Sequence, residues 1–234
     1  MDKMEKAERV HGLFETIAGG YDQANERISL GMQRSWKKML IKRIVKQAPA
    51  GVRILDVCCG TGDIALGIAK QRGDIQVCGL DFSASMLKIA KKKRNRMHLG
   101  RTLFFEGDAM NLPFEDDTFA AVTISFGLRN TADYMQVIEE MKRVVRPGGC
   151  VYCLDSFVPG IKWIQPFYRL YFQKMMPLIG GGRKYKQEYQ WLSESTECFL
   201  KPEGLTEMFQ TAGLTHIRMK KKMFGACVMV WGRK

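Results

Sequence analysis

The chain has 234 residues, 46% hydrophobic and 26% charged, with a formal charge of +13 from 37 Lys and Arg against 24 Asp and Glu. That length fills one well-buried α/β domain with additions, and the composition excludes a disordered chain. No apolar run approaches a membrane span, and the positive excess favours anionic surroundings, a lipid surface or nucleic acid, without choosing between them.

Seven cysteines, Cys58, Cys59, Cys78, Cys150, Cys153, Cys198 and Cys227, are an odd number and suit a reducing cytoplasm. Cys150 and Cys153 fall in a predicted strand, where they face opposite sides, so they read as small buried hydrophobes and not as a redox pair. The first sixteen residues mix Asp2, Glu5 and Glu8 with Lys3, Lys6 and Arg9, unlike a secretory or mitochondrial leader, so a cytoplasmic, soluble or peripheral protein is expected.

The N-terminal stretch, residues 3–17, places Val10, Leu13, Phe14 and Ile17 at helical spacing and stops at Gly19-Gly20, with Tyr21 and Asp22 expected in a linker. A second helical segment holds Ile28 and Leu30, and a third spans residues 34–45, before Pro49. Standing ahead of the strand–helix alternation that begins at residue 52, these helices are candidates to close over it as a cap.

From residue 52 strands alternate with helices: strand 52–57, helix to 70, strand 75–80, helix 83–96 with Ser83 as N-cap, strands 103–105 and 120–126, helix 132–145 and strand 150–154. Arg146-Pro147-Gly148-Gly149 stops the last of these helices. Such alternation implies a parallel sheet with helices on both faces. A segment at 161–178, rich in aromatics and Met, interrupts it. Helix 202–212 and strands 215–219 and 227–231 complete the fold, the last connection being short enough for an antiparallel hairpin. The chain therefore divides into a cap (1–48), a core (49–156), a helical insertion (157–200) and a final helix with a strand pair (201–234), all within one domain.

The expected ligand turn is Asp56-Val57-Cys58-Cys59-Gly60-Thr61-Gly62-Asp63. Gly60 and Gly62 allow close backbone approach, and the free amides of the next helix suit a polar or anionic group. Asp81 ends the second strand about twenty residues on, where a ribose needs a carboxylate, and Asp108-Ala109 follow the third. Gly60-x-Gly62-x-x-Ala65 also satisfies a dinucleotide fingerprint. Asp56 argues against that ligand, because a carboxylate there repels a pyrophosphate but attracts the ammonium and sulfonium of S-adenosylmethionine. No metal site is read from the sequence.

Phe14 to Asn25, reading FETIAGGYDQAN, together with Ile28-Ser29-Leu30-Gly31, Trp36, Gly79-Leu80-Asp81-Phe82-Ser83, Leu112-Pro113-Phe114 and Ser125-Phe126-Gly127-Leu128-Arg129-Asn130, resembles nearly end to end the quinone-biosynthesis C-methyltransferases. The resemblance implies a class I S-adenosylmethionine-dependent methyltransferase, Rossmann-like, with a mostly parallel seven-stranded sheet, an antiparallel last strand, an N-terminal helical cap and an insertion after strand five. It implies methylation of a polyprenylated quinol, with demethylmenaquinol as the leading substrate and a polyprenyl-methoxybenzoquinol as the alternative. Cofactor contacts are then expected from Asp56, Gly60, Thr61, Gly62, Asp81, Phe82, Asp108, Ala109 and Ser125. Two departures fall where the substrate varies: Asp155-Ser156-Phe157 stands for the family's Glu-Phe-Ser, and an apolar residue stands for a histidine near the C-terminus.

A ring carbon becomes nucleophilic when a neighbouring hydroxyl ionises, and a phenol pKa of about 10 opposes that at neutral pH. Arg129 is the candidate that stabilises the phenolate, with Asn130 and Tyr21 orienting the hydroxyl and water or Asp22 taking the proton. A surface-paired Arg129 beside a helix cap formed by Asn130 or Thr131 is the purely structural alternative. Expected partners are the quinol, an anionic membrane touched peripherally through basic clusters such as Lys220-Lys221-Lys222, and a second copy of the chain. No nucleic acid is expected, since those clusters lack interleaved aromatics. A non-quinone small-molecule methyltransferase and a non-catalytic S-adenosylmethionine-binding module are the remaining readings.

Overall fold

The computed structural model describes residues 3–161, 163–171 and 186–234. Helices α1 (Lys3–Ile17), α2 (Tyr21–Ile28) and α3 (Met32–Gln47) precede β1 (Arg53–Val57), α4 (Asp63–Gln71), β2 (Gln76–Asp81), α5 (Ala84–Arg96), β3 (Thr102–Glu106), β4 (Phe119–Ser125), α6 (Tyr134–Val144) and β5 (Val145–Ser156). Then come α7 (Gln165–Leu170), α8 (Lys186–Glu197), α9 (Pro202–Thr211), β6 (Thr215–Lys222) and β7 (Cys227–Arg233). The sheet runs β3-β2-β1-β4-β5-β7-β6, with β1 to β5 parallel and β7 antiparallel to both its neighbours.

Strand alternation sends successive side chains to opposite faces, and both faces are covered. Ile54, Val77, Phe104 and Tyr152 pack under Leu40, Ile41 and Ile44 of α3 and the apolar face of α4. Leu55, Val57, Val122 and Ile124 pack on the other side against Val137, Ile138 and Met141 of α6 and Leu205 and Phe209 of α9. Each such side chain, removed from water, contributes about 1.5–3 kcal/mol before the entropy of ordering it. Cys150 belongs to the first layer and Cys153 to the second, the opposite-face arrangement expected of them. A third cluster joins Val10, Leu13 and Ile17 of α1 to Met86 of α5 and Trp191 of α8. It fixes α1 across the carboxyl edge of the sheet.

Strand order reverses direction between β1 and β4, and the crevice at that switch point is where doubly wound sheets bind ligands. Several boundaries differ from the sequence expectation. Tyr21 and Asp22 open α2 instead of lying in a linker, because Ala18–Gly20 continues the turn as a 3-10 segment. The left-handed break falls at Leu30 (φ 48°) and Gly31 (φ 76°). β5 begins at Val145, and residues 146–149 bulge within it: Val145 pairs with Phe119 and Cys150 with Ala121. The aromatic segment shows α7 in its described part. Phe172, Met175 and Met176 lie outside the described residues, as does the side chain of Phe167.

Candidate functional site

After β1 the backbone turns through Cys58, Gly60 and Gly62 at φ of 52°, 53° and 83°. A Cβ on Gly62 would come within 2.9 Å of Phe104 Cζ and 3.1 Å of the Ala90 methyl, so both the angle and the space require glycine there. The Cys59 amide donates to Leu80 O at 2.9 Å and the Gly60 amide to Asp81 Oδ2 at 2.7 Å, which locks the turn to the end of β2. Asp81 Oδ1 accepts from the Ser83 amide at 3.0 Å. Beneath the turn, Asp56 Oδ2 accepts from the Ala65 amide at 3.1 Å, in the first turn of α4.

Both carboxyls are perturbed by burial. Desolvation lifts Asp56 to about 8, with the Ala65 amide pulling the other way, and lifts Asp81 to about 6 against the Ser83 and Gly60 amides. The thiols of Cys58 and Cys59 are pushed well up by burial and stay protonated. That leaves them no thiolate chemistry at neutral pH.

Between the strand ends and α1 lies a cavity of about 500 Å³, within the range of small-ligand sites. Its floor carries Gly60, Asp81, Phe82, Asp108, Ala109 and Ser125, six of the nine residues named for cofactor contact. Tyr21 and Asn130 stand in the same wall, and Ala7, Val10, His11 and Phe14 of α1 form the roof. Asp56 and Thr61 line a recess of about 30 Å³ that shares Tyr21, Gly60 and Ser125 with the cavity. Gly62 caps α4 behind it.

Arg129 does not line the cavity. It is 7% exposed, and its Nη1 donates to Phe126 O at 2.9 Å and to Asp155 Oδ1. The arginine is thus ion-paired in the interior, not on the surface. Burial lifts Asp155 above its ordinary range while the guanidinium opposes the shift. The same positive charge acts to lower the Tyr21, Tyr134 and Tyr168 phenols, each raised overall by desolvation. Of these three, Tyr21 lines the cavity, and the Tyr134 hydroxyl donates to Arg129 O at 3.3 Å. Neither Asn130 nor Thr131 caps the following helix; Asp133 does, accepting from the Met135 and Gln136 amides. Asn130 instead donates to Phe126 O at 3.3 Å and accepts from Trp191 Nε1 at 3.2 Å.

Asp22 does not line the cavity. Its Oδ1 accepts from Thr61 Oγ1 at 2.6 Å and its Oδ2 meets Lys93 Nζ at 2.6 Å. Lys93 also reaches Asp63 at 2.8 Å, and Lys37 reaches the other Asp63 oxygen at 2.9 Å. Although burial works against it, these two lysines hold Asp63 down to about 2. The network ties α2 and α3 to the turn.

Residues the sequence did not point to hold α1 over the opening. Glu15 accepts from Ser83 Oγ at 2.7 Å and from the Ser85 amide and hydroxyl at 3.2 and 2.5 Å, at the start of α5. Lys6 donates to Thr131 O at 2.6 Å on the β4 side. The amphipathic spacing of α1 signalled burial, but nothing in it says which polar residues bridge. Trp191 gave no signal at all.

The residues suit the ligand expected from the sequence. Asp56 Oδ1 and Ser125 Oγ are buried polar atoms with no hydrogen-bond partner among the described residues, an arrangement that costs stability unless a donor arrives. An ammonium and hydroxyl groups supply such donors, and Asp81 and Asp108 add acceptors at the far end.

A sequence model of the ubiE/COQ5 methyltransferase family matches residues 2–234. The demethylmenaquinone methyltransferase of Oceanobacillus iheyensis is 44% identical over 98% of this chain and 96% of its own, and that of Bacillus cereus is 44% identical over 99% and 98%. Among solved structures, a SAM-dependent methyltransferase from Thermotoga maritima aligns with a TM-score of 0.68 at 18% identity, over 96% of this chain and 99% of that one. Phosphoethanolamine N-methyltransferase 2 of Haemonchus contortus, solved with S-adenosylhomocysteine, aligns at 0.64 and 17% identity over 84% and 52%. At these identities the structural likeness concerns the fold.

Proposed function

The chain belongs to the ubiE/COQ5 methyltransferase family, and from that premise we propose that it methylates a ring carbon of a polyprenylated quinol, with demethylmenaquinol as substrate. The observation that carries the reading is one continuous cavity with carboxylates on its strand-end floor, an apolar α1 roof, and Tyr21 with Asn130 in the wall between. The relatives named demethylmenaquinone methyltransferase support the choice of head group.

When bound, S-adenosylmethionine supplies a methyl group already activated on a sulfonium. Asp81 would accept from its ribose hydroxyls, Asp108 and Ala109 would flank its base, and Asp56, Gly60, Thr61 and Ser125 would hold the amino-acid end, with Phe82 in the wall and Gly62 starting α4 behind it. Alignment and exclusion of water then supply most of the acceleration. α1 closes the cavity from above. Tyr21 keeps its proton, since burial raises it, and so serves as a donor to a quinol oxygen. Arg129 acts from behind Asn130 as a positioning residue whose field favours the phenolate; its pairing with Asp155 fixes where that field falls. With Asp22 engaged by Lys93 and Thr61, water takes the hydroxyl proton as the phenolate forms, and the ring proton displaced by the methyl group also leaves to water while the phenolate regains its proton from solvent.

We place the enzyme at the inner face of the cytoplasmic membrane, where a polyprenylated substrate resides. No helix among the described residues is long and apolar enough to cross a membrane. The test is incubation with labelled methyl donor and two reduced precursors, demethylmenaquinol and a polyprenyl-methoxybenzoquinol, with mass identification of products. Label in menaquinol is the expected result. A chain that binds the donor but labels neither quinol defeats the proposal.

A further inference from the structure

Large apolar side chains stand in solvent at one tip of the molecule. The 3-10 turn Met223–Gly225 joins β6 to β7, and Met223 and Phe224 are 45% and 60% exposed there. The segment after β5 runs beside it: the Phe157 amide donates to Ala226 O at 3.0 Å, and the Gly160 nitrogen lies 3.9 Å from where a Cβ on Gly225 would stand. That segment exposes Ile161 at 37% and Trp163 at 69%. Since Ser156 and Lys222 both pair with Cys227, the tip lies on the carboxyl edge of the sheet, the edge that holds the cavity.

The backbone at the tip is held in a strained form. Met223 and Phe224 have φ of 48° and 55°, a region that bulky residues rarely enter. Such strain costs about 1–3 kcal/mol per residue and persists chiefly at functional sites. Here both strained residues carry hydrophobic side chains that lie in solvent. Behind the tip, Lys220 lines a groove of about 670 Å³ with Lys38, Lys42, Arg43 and Lys46, and no carboxylate lines it. Lys222 adjoins the turn itself.

We propose that Met223, Phe224, Ile161 and Trp163 form a wedge that enters the headgroup layer of an anionic bilayer, while the Lys38, Lys42, Lys46 and Lys220 surface attracts its lipid phosphates. Charge complementarity selects this occupant: a basic groove beside an apolar tip, on a chain of +13, matches an anionic lipid surface. The inference rests on the reading of the substrate as a membrane lipid, and it places the cavity edge against the source of that lipid.

The experiment measures binding of the whole chain to vesicles of phosphatidylglycerol and phosphatidylcholine, with no substrate present, across salt concentration. Met223→Asn with Phe224→Asn removes the apolar wedge, and Asn tolerates the left-handed backbone, so the fold survives. The expected result is salt-sensitive binding to the anionic vesicles, weakened about tenfold or more by the double substitution. Replacing Lys38, Lys42 and Lys46 with Gln flattens the salt dependence. Turnover of a quinol with a single isoprene unit stays at the wild-type level in the wedge variant. Equal vesicle binding by wild type and wedge variant overturns the proposal. So does sedimentation showing a wild-type dimer that the wedge variant dissociates, which would make the tip a self-association face. A chain that binds vesicles as expected yet methylates no quinol overturns the functional reading instead.

Discussion

Arg129 and Asp155 meet in an ion pair closed to water, their side chains 8% and 0% exposed, with the Arg129 backbone amide also directed at the Asp155 carboxylate at 3.4 Å. Breaking such a pair strands a buried charge, so Arg129→Ala should cost about 3–5 kcal/mol in denaturant unfolding. Arg129→Lys keeps the charge but not the planar guanidinium whose Nη1 serves Phe126 O and Asp155 together. If the arginine field favours the quinolate, kcat in the Ala variant rises only at higher pH than in wild type, with donor KM unchanged. An unaltered kcat–pH profile would show that the pair is structural alone.

Asp56 makes the free protein less stable as pH rises. Its folded pKa is about 8 against 3.8 unfolded, so the folded state holds the extra proton between those values. The contribution is fully present below pH 4 and fades towards pH 8, by up to about 1.4 kcal/mol per pH unit. A cationic donor prefers the carboxylate, so its affinity should climb over the upper part of that window while a proton is released. Calorimetry in two buffers of different ionisation enthalpy reads the release. Asp56→Asn should abolish it and flatten the stability slope.

Glu15 caps the start of α5 from α1, through both Ser83 and Ser85. In Glu15→Ala, hydrogen exchange of the α1 amides should speed up several-fold while the β1 and β4 amides keep their protection. Donor dissociation should accelerate with it. Equal exchange in the two proteins would mean that the Val10, Leu13 and Ile17 packing alone holds the roof.

Gly62 and Gly60 separate two costs. Ala at Gly60 meets nothing within 4 Å and pays about 1–2 kcal/mol for its left-handed angle, whereas Ala at Gly62 also runs into Phe104 and Ala90. Thermal melts should therefore place Gly62→Ala clearly below Gly60→Ala. The reverse order would contradict the packing described for the turn.

The order of strands and helices, the glycine turn, the carboxylates at strand ends and the antiparallel last strand were all legible from residue patterns. Each is local: alternation, a glycine pair and a strand-end acid are written in consecutive residues. Boundaries slipped where local signals compete. Gly19-Gly20 does end α1 but leads through a 3-10 turn straight into α2, and Pro147-Gly148-Gly149 follows the end of α6 at Val144 as expected but is absorbed as a bulge within β5 instead of preceding it.

The sequence by itself therefore determined which strands end in polar groups at the cavity, and so the class of fold that carries them. Only the tertiary structure decided what each charge faces. It drew Arg129 to Asp155, 26 positions away, and Asp22 to Lys93 across the turn, and it set Glu15, Lys6 and Trp191 around the roof. Pairings between distant residues depend on how α1, α3 and α8 pack on the sheet edge, and that packing is driven by non-directional burial, which leaves no periodic trace of which polar groups it brings together.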